Sequence, residues 1–303
     1  MKFVGYLAGC PAGAKNIHKH EIIHKFVKGV NAAGDTGILH TGKNILVDTN
    51  VHFIQGWVHQ NSGTAPHLMV RKNAIEFART HAQHVLVADS NLFNYIDANE
   101  KKSYTRYSFD GVFPTTGNYF DSMVDPTRWD KISKATGVKL KPWRASGRHI
   151  LICTQRNGGW SMGGLDVAAW LEQTVKQIKQ FTSRPIIVRG HPGDRYHTQY
   201  IDQKKYTLSR SKYIWEDFKD AHAVVTFNSS PGVAAAIEGI PVFVTDPNPR
   251  VSQAYDVSNH SIHKIENPRT FDRELWIQKL AMSHWNRDEI ESGEAWRHIR
   301  NYV

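Results

Sequence analysis

The chain has 303 residues, 40% hydrophobic and 22% charged, which is enough to bury more than one core and too apolar for a disordered protein. Its 38 Lys and Arg against 28 Asp and Glu leave a formal charge of +10, and two cysteines, Cys10 and Cys153, make a disulfide framework improbable. No stretch approaches the roughly 20 apolar residues of a membrane span. Gly and Pro break the N-terminal apolar run too early for a signal peptide, so the expectation is a soluble, cytoplasmic protein.

In chain order, apolar runs alternate with helical periodicity, the pattern of a parallel α/β sheet. Residues 3–8 read as a strand and 9–14 as a Gly-rich loop. Residues 16–30 read as a helix with Ile17, Ile22, Ile23, Phe26, Val27 and Val30 inward. Strands at 51–58 and 85–88 flank a helix near 67–81. From residue 115 the pattern weakens into TTGNYFDSMVDPTRWD and then a basic stretch ending at Arg148, where a boundary fits. A second series follows: strand 149–153, helix 165–181, strand 185–189, a helix around 215–220, strand 224–227, helix 233–238 and strand 242–245. The C-terminal stretch reads as helical, with Trp276, Trp285 and Trp296 available to pack. The expected organisation is α/β, two Rossmann-like domains facing a cleft. Residues 1–140 would bind an acceptor and 141–285 a nucleotide, while 286–303 form a helix crossing back to the first domain.

Three loops of the second half each follow a strand and so belong on one sheet edge, where open parallel sheets bind phosphorylated ligands. Residues 154–164, TQRNGGWSMGG, offer Gln155 and Arg156, the latter suited to a bidentate phosphate contact. Residues 189–195, RGHPGDR, place Arg189, His191 and Arg195 after a buried strand. Residues 224–246, VVTFNSSPGVAAAIEGIPVFVTD, read as strand, polar turn, short Ala-rich helix, glycine stop and strand. Their turn sets Ser229, Ser230 and Gly232 at a helix N-terminus, where free N–H groups and the helix dipole favour an anion.

Two other features compete for attention. His20-Glu21-Ile22-Ile23-His24 fits the H-E-x-x-H zinc pattern. However, few residues precede it, no G-x-x-H extension follows and no third ligand is evident, so no metal is expected. The net positive charge fits a polyanionic partner or a merely basic surface. Its clearest cluster, KLKPWRASGR, sets Trp143 among Lys139, Lys141, Arg144 and Arg148, either a nucleic-acid contact or a linker with a solvated basic face.

The pair RGHPGD at 189–194 and FNSSPGVAAAIEGIPVFVTD at 227–246 resembles the signature of GT-B glycosyltransferases, in particular the capsule-polysaccharide and Kdo-transferase branch. There a strand ends in Lys/Arg-x-His-Pro, and a later element reads roughly Ser-Ser-x-Gly-x-Glu-Ala before a Gly-x-Pro-Val stop. Ser229, Ser230, Gly232, Gly239, Pro241 and Val242 match the later element, and the resemblance covers about residues 149–250. It implies a nucleotide-diphosphate sugar, such as a UDP-sugar, bound in the second domain as co-substrate, with no cofactor required. The family's carboxylate falls at Ala234 here; Glu238, one turn on, is the candidate to replace it, with a surface role as the alternative.

Positive charge for the leaving diphosphate would come from Arg156, Arg189, His191, Arg195 and the turn amides. Asp89, ending the strand 85–88 before Ser90, is the candidate base, in a setting similar to that of the phage DNA (hydroxymethylcytosine) glycosyltransferases; the alternative is a helix cap. His18, His20 and Asp48 stand in reserve. The charge, the size and this setting lead to an expected function: sugar transfer to a hydroxymethylated pyrimidine in phage DNA. Double-stranded DNA would be the partner, contacted by His18, His20, Lys141, Trp143 and Arg144. The alternatives are a capsule or lipopolysaccharide sugar transferase and a non-catalytic nucleotide- or nucleic-acid-binding protein.

Overall fold

The computed structural model describes residues 1–13, 16–58, 62–93, 104–194 and 196–303. In chain order the first elements are β1 (Lys2–Tyr6), α1 (Ile17–Ala32), β2 (Thr36–His40), β3 (Val51–Gln55), α2 (Pro66–Thr80), β4 (His84–Asp89), β5 (Thr105–Phe109) and α3 (Pro126–Thr136). There follow β6 (His149–Cys153), α4 (Val167–Ile178), β7 (Ile186–Arg189), α5 (His197–Tyr200), β8 (Thr207–Leu208), α6 (Ile214–Phe218), β9 (Ala221–Thr226), α7 (Pro231–Ile237) and β10 (Val242–Val244). The chain closes with α8 (Glu274–Ala281), β11 (His284–Trp285), α9 (Arg287–Glu291) and α10 (Glu294–Ile299). Two compact units result, one of Met1–Lys131 with Gln278–Val303 and one of Ile132–Ile277. Among the described residues no helix is long and apolar enough to cross a membrane.

The first unit is built on a six-stranded sheet ordered β11-β5-β4-β3-β1-β2. β2, β1, β3 and β4 are parallel, whereas β5 pairs antiparallel with both β4 and β11, a departure from the all-parallel pattern expected. β5 reads Thr-Arg-Tyr-Ser-Phe, a short alternation whose polar positions, Arg106 and Ser108, would be expected at a solvent face. Both side chains are nonetheless buried, Arg106 through its pairing with Asp89. The core is aromatic: Phe3 stacks on Phe26 at 5.4 Å and meets the edge of Trp296 at 5.0 Å. Ile22, Ile23, Phe26, Val27 and Val30 face inward from α1 as the periodicity predicts; Ile17, at the helix start, is 65% exposed instead. Gly29 lets α1 approach α9 closely, since a Cβ there would lie 1.8 Å from the Ile290 carbonyl oxygen. That approach stacks Trp285 and Trp296 into the same core as β1 and α1.

The second unit carries a five-stranded sheet, β10-β9-β6-β7-β8, parallel throughout. Ile150, Ile152, Val188, Val225 and Phe243 come from its strands, and Trp170, Leu171, Val175 and Ile178 from α4. These strands are near-continuous apolar runs because helices cover both faces of a parallel sheet.

A buried histidine contributes to the acid response of the first unit. His284 is fully buried; its Nδ1 lies 2.8 Å from the Leu280 carbonyl and its Nε2 3.3 Å from the Leu92 amide nitrogen. The amide can only donate, so Nε2 accepts, Nδ1 carries the proton and the ring is neutral. Burial, with Arg106 and Arg128 nearby, pulls its pKa down to about 3. A folded pKa below the unfolded value of about 6.5 means stability is full above that value and is lost as pH falls toward 3. The slope approaches about 1.4 kcal/mol per pH unit for this one group. Thermal melting followed by circular dichroism should therefore show a falling midpoint from pH 7.5 to 5.0. His284→Ala should melt lower at pH 7.5 and show a shallower acid slope.

Candidate functional site

Strands β6, β7 and β9 lie side by side and run the same way, with Cys153 in register with both Arg189 and Thr226. The loops that follow them therefore emerge at one edge. The sheet winds from β6 outward through β7 to β8, then returns to the other side of β6 with β9 and β10. The switch point lies between β6 and β9, where parallel sheets leave a crevice for a ligand. Gly158, Gly163 and Gly164, with φ of +67°, +60° and +89°, give the β6 loop turns that other residues adopt only under strain.

Side chains knit these loops together. The Gln155 Oε1 accepts from the Asn228 amide at 3.2 Å, and its Nε2 donates to the Ser161 hydroxyl at 2.8 Å. The Asn228 side chain donates to the Ser161 carbonyl at 3.0 Å and to the Asp246 carboxylate at 2.7 Å. Asp194 joins the β7 loop to the β6 loop by accepting from the Asn157 amide at 3.0 Å and from the Tyr200 hydroxyl. Burial alone would raise the Asp194 pKa, but hydrogen bonds from Tyr200, Asn157 and Tyr196 hold it below the usual carboxylate range. Asn228, Asp194 and Asp246 are bracing residues that sequence reasoning misses. Their one signal in the sequence is an Asx residue shortly after an apolar strand.

The cations divide sharply. Arg189 is inward and committed: it pairs with Asp217 and donates to the Ser211 and Lys212 carbonyls at 3.1 and 3.2 Å. The Arg156 side chain is exposed and has no hydrogen-bond or ion-pair partner among the described residues. His191 stands near it. The Gly193 amide donates to His191 Nδ1 at 3.0 Å, so the ring proton sits on Nε2, which has no partner among the described residues. Burial, with the Arg156 charge nearby, holds this imidazole below its ordinary pKa and favours the neutral donor form. Arg195 lies outside the described residues. In the β9 turn the Ser229 hydroxyl is buried without a hydrogen-bond partner among the described residues. The Ser230 cap position makes no side-chain bond, and Pro231 takes the first helical place. Gly232 is buried, where a Cβ would press on Val242 at 3.2 Å.

Glu238 is the C-cap of α7, at the end opposite this turn, and pairs with Lys141. Ala234 is buried within α7, so a carboxylate at that position would be desolvated. Three more side chains of the basic cluster are tied inside the second unit. Arg144 donates to the Phe218 and Ala221 carbonyls at 2.8 and 2.6 Å, and Arg148 pairs with Asp220. Trp143 donates to the Phe271 carbonyl at 2.8 Å, and its ring lies under the Arg273 guanidinium at 4.0 Å.

In the first unit the winding reverses between β1 and β3. Asp89 ends β4 at the same edge, its side chain 30% exposed and paired with the buried Arg106. His18 and His20 are half-buried in the first turn of α1, with His20 Nε2 3.2 Å from the Pro11 carbonyl; Asp48 pairs with Lys2. Glu21 lies 3.8 Å from Lys25. Among the described residues no group of three or more His, Cys, Asp or Glu is placed to hold a metal ion.

No family model matches the chain, and no curated protein matches it. Among solved structures it is similar to Thermosulfurimonas dismutans KpsC, beta Kdo 2,4 transferase, at 11% identity and a TM-score of 0.56, over 93% of this chain and 90% of that one. It is also similar to the KpsC beta Kdo 2,7 transferase of that organism, at 13% identity and a TM-score of 0.55, over 100% of this chain and 99% of that one. The fold is of the GT-B class. Within that GT-B architecture, two Rossmann-like units each present a switch-point edge.

The two arginines separate by experiment. Arg189→Ala should cost about 3–5 kcal/mol in denaturant unfolding, because Asp217 would stay buried without its partner. Arg156→Ala should stay within about 0.5 kcal/mol of the parent, as exposed changes do.

Proposed function

We propose that the protein is a glycosyltransferase that takes its sugar from a nucleotide-diphosphate donor held at the carboxyl edge of the second sheet. One observation carries this reading: donors without partners among the described residues lie on the loops that leave β6, β7 and β9 at the same sheet edge. They are the Arg156 guanidinium, the His191 Nε2–H and the Ser229 hydroxyl. A leaving diphosphate needs such donors, placed before the charge develops. The acceptor hydroxyl attacks the anomeric carbon, the bond from that carbon to the phosphate oxygen breaks, and the electron pair stays on the diphosphate. Asp89 is the proposed acceptor of the hydroxyl proton, at the end of β4 in the first unit. The GT-B fold, shared with two Kdo transferases, supports the reaction class.

A saccharide acceptor, as in capsule or lipopolysaccharide assembly, is the reading we favour over DNA. Of the residues offered for nucleic-acid contact, Lys141, Trp143 and Arg144 are engaged by Glu238, Phe271, Phe218 and Ala221. The net charge of +10 favours the second reading, a hydroxymethylated pyrimidine in DNA.

Incubation with UDP-hexoses and nucleotide-activated Kdo, against oligosaccharide and hydroxymethylated duplex acceptors, followed by mass spectrometry, separates the two. A sugar mass added to the oligosaccharide is expected; addition to a base alone transfers the assignment to DNA. UDP and other nucleotide diphosphates should raise the melting midpoint of the parent. Arg156→Ala should weaken that binding about tenfold or more. Asp89→Asn should lower kcat about 10²- to 10⁴-fold with donor binding retained. If no nucleotide diphosphate stabilises the parent, the donor assignment fails.

A further inference from the structure

The first unit holds a concentration of positive charge that the donor reading does not use. Arg71, in α2, is only 6% exposed. Its Nε donates to the Gly9 carbonyl at 2.6 Å and its Nη1 to the Gly56 carbonyl at 3.3 Å, so the guanidinium bridges the loops leaving β1 and β3. Those two loops flank the switch point of the six-stranded sheet. Gly56 has φ +84°, and a Cβ there would sit 2.8 Å from Arg71 Nη1, so the loop admits the guanidinium only as glycine. Among the described residues no carboxylate pairs with Arg71, and no acceptor meets its Nη2. Buried arginines are ordinarily paired, as Arg106 is with Asp89 and Arg128 with Glu289.

The surroundings add a second cation, Lys19, and a further hydrogen-bonding group, His67. α1 and α2 both begin at this edge; neither N-cap makes a side-chain bond, and neither first turn holds an acid. Lys19 and His67 occupy those first turns, where the helix dipole disfavours cations. Burial and then the Arg71 charge hold both Lys19 and His67 below their ordinary pKa values. The sequence offers no remedy: residues 56–75 contain no acid, and residues 7–34 contain only Glu21, which is exposed and lies against Lys25.

We propose that Arg71, Lys19 and His67 form an oxyanion subsite in the first unit, built to hold a carboxylate or phosphate group carried by a sugar. Its acceptor role rests on the glycosyltransferase reading; the anion binding does not. An oxyanion would neutralise the buried guanidinium, occupy its unbonded Nη2 and satisfy helix amides at once. The neighbouring strand supplies the link to chemistry. The Gly56 amide donates to the Ala88 carbonyl at 2.7 Å, one residue before Asp89, and the Asp89 charge acts on Arg71. An acidic acceptor anchored here would present its hydroxyl beside the proposed base. A neutral sugar would leave the buried Arg71 guanidinium unmatched and be rejected.

Calorimetric titration of the full chain with glucuronate, glucose 6-phosphate and glucose tests the assignment. Binding of at least one of the two acidic sugars, with no heat from glucose, is expected. Lys19→Ala and His67→Ala should each weaken that binding about tenfold, and both variants should keep the parent's melting midpoint and its response to UDP. Arg71→Lys should also lose affinity, but it disturbs two loops, so the first two variants decide the matter. Equal binding of glucose would overturn the subsite. So would affinity for the acidic sugars that falls in Arg156→Ala and is untouched in Lys19→Ala and His67→Ala. A parent that ignores UDP but binds glucuronate through Lys19 would remove the donor reading and leave this subsite standing.

Discussion

Strands added to a parallel sheet first on one side and then on the other force two successive loops apart. At that seam backbone amides and helix N-termini face a gap that the sheet itself cannot fill. Both units of this chain contain such a seam, between β6 and β9 in one and between β1 and β3 in the other. Every candidate binding group gains its meaning from its position relative to a seam. The second seam is braced by Asn228, whose amide and side chain reach Gln155, Ser161 and Asp246. That bracing fixes three loops without using Arg156 or the His191 Nε2–H, which stay open to a ligand.

Charge is partitioned by burial rather than by abundance. Many of the cations are committed to ion pairs within the fold: Arg189 on Asp217, Arg106 on Asp89, Arg128 on Glu289, Lys141 on Glu238 and Arg148 on Asp220. A net charge of +10 therefore says little about which face meets an anion. Arg156 and Arg71 differ from these by lacking a carboxylate partner among the described residues. One is exposed at the edge of the second sheet, and the other is buried at the edge of the first. A flexible exposed cation suits a ligand that must come and go. A buried one, held by two carbonyls, suits a rigid test for a single charged group.

Much of the fold is legible in the sequence because parallel strands between helices are nearly continuous apolar runs. The apolar run at 149–153 coincides with β6 to the residue, and those for β4, β7, β9 and β10 agree to within a few positions. What the sequence hides is polar or short. β2 is a five-residue edge strand, β11 has two residues, and β5 carries Arg106 and Ser108 in its middle. α3 gives little signal because its run Pro126–Thr136 mixes charge with few apolar residues. In the candidate site, the loops and their shared edge follow from strand order along the chain. Asp89 is legible as a strand end, but its partner Arg106 falls on the polar phase of β5, which the sequence would place in solvent rather than in the core.

The sequence by itself determined the two α/β halves, the strand-to-turn-to-helix units and the residue types waiting at each strand end. These are local properties, set by hydrophobic periodicity and by the backbone demands of Gly, Pro and Asn. Only the tertiary structure decided which cation is free. Arg156 and Arg189 look alike as letters after a strand, yet one lies exposed and the other meets Asp217 across 28 residues of chain. Arg71 carried no signal at all in the sequence. Its role depends on the Gly9 and Gly56 carbonyls, brought together only when β1 and β3 pair and the seam opens between them.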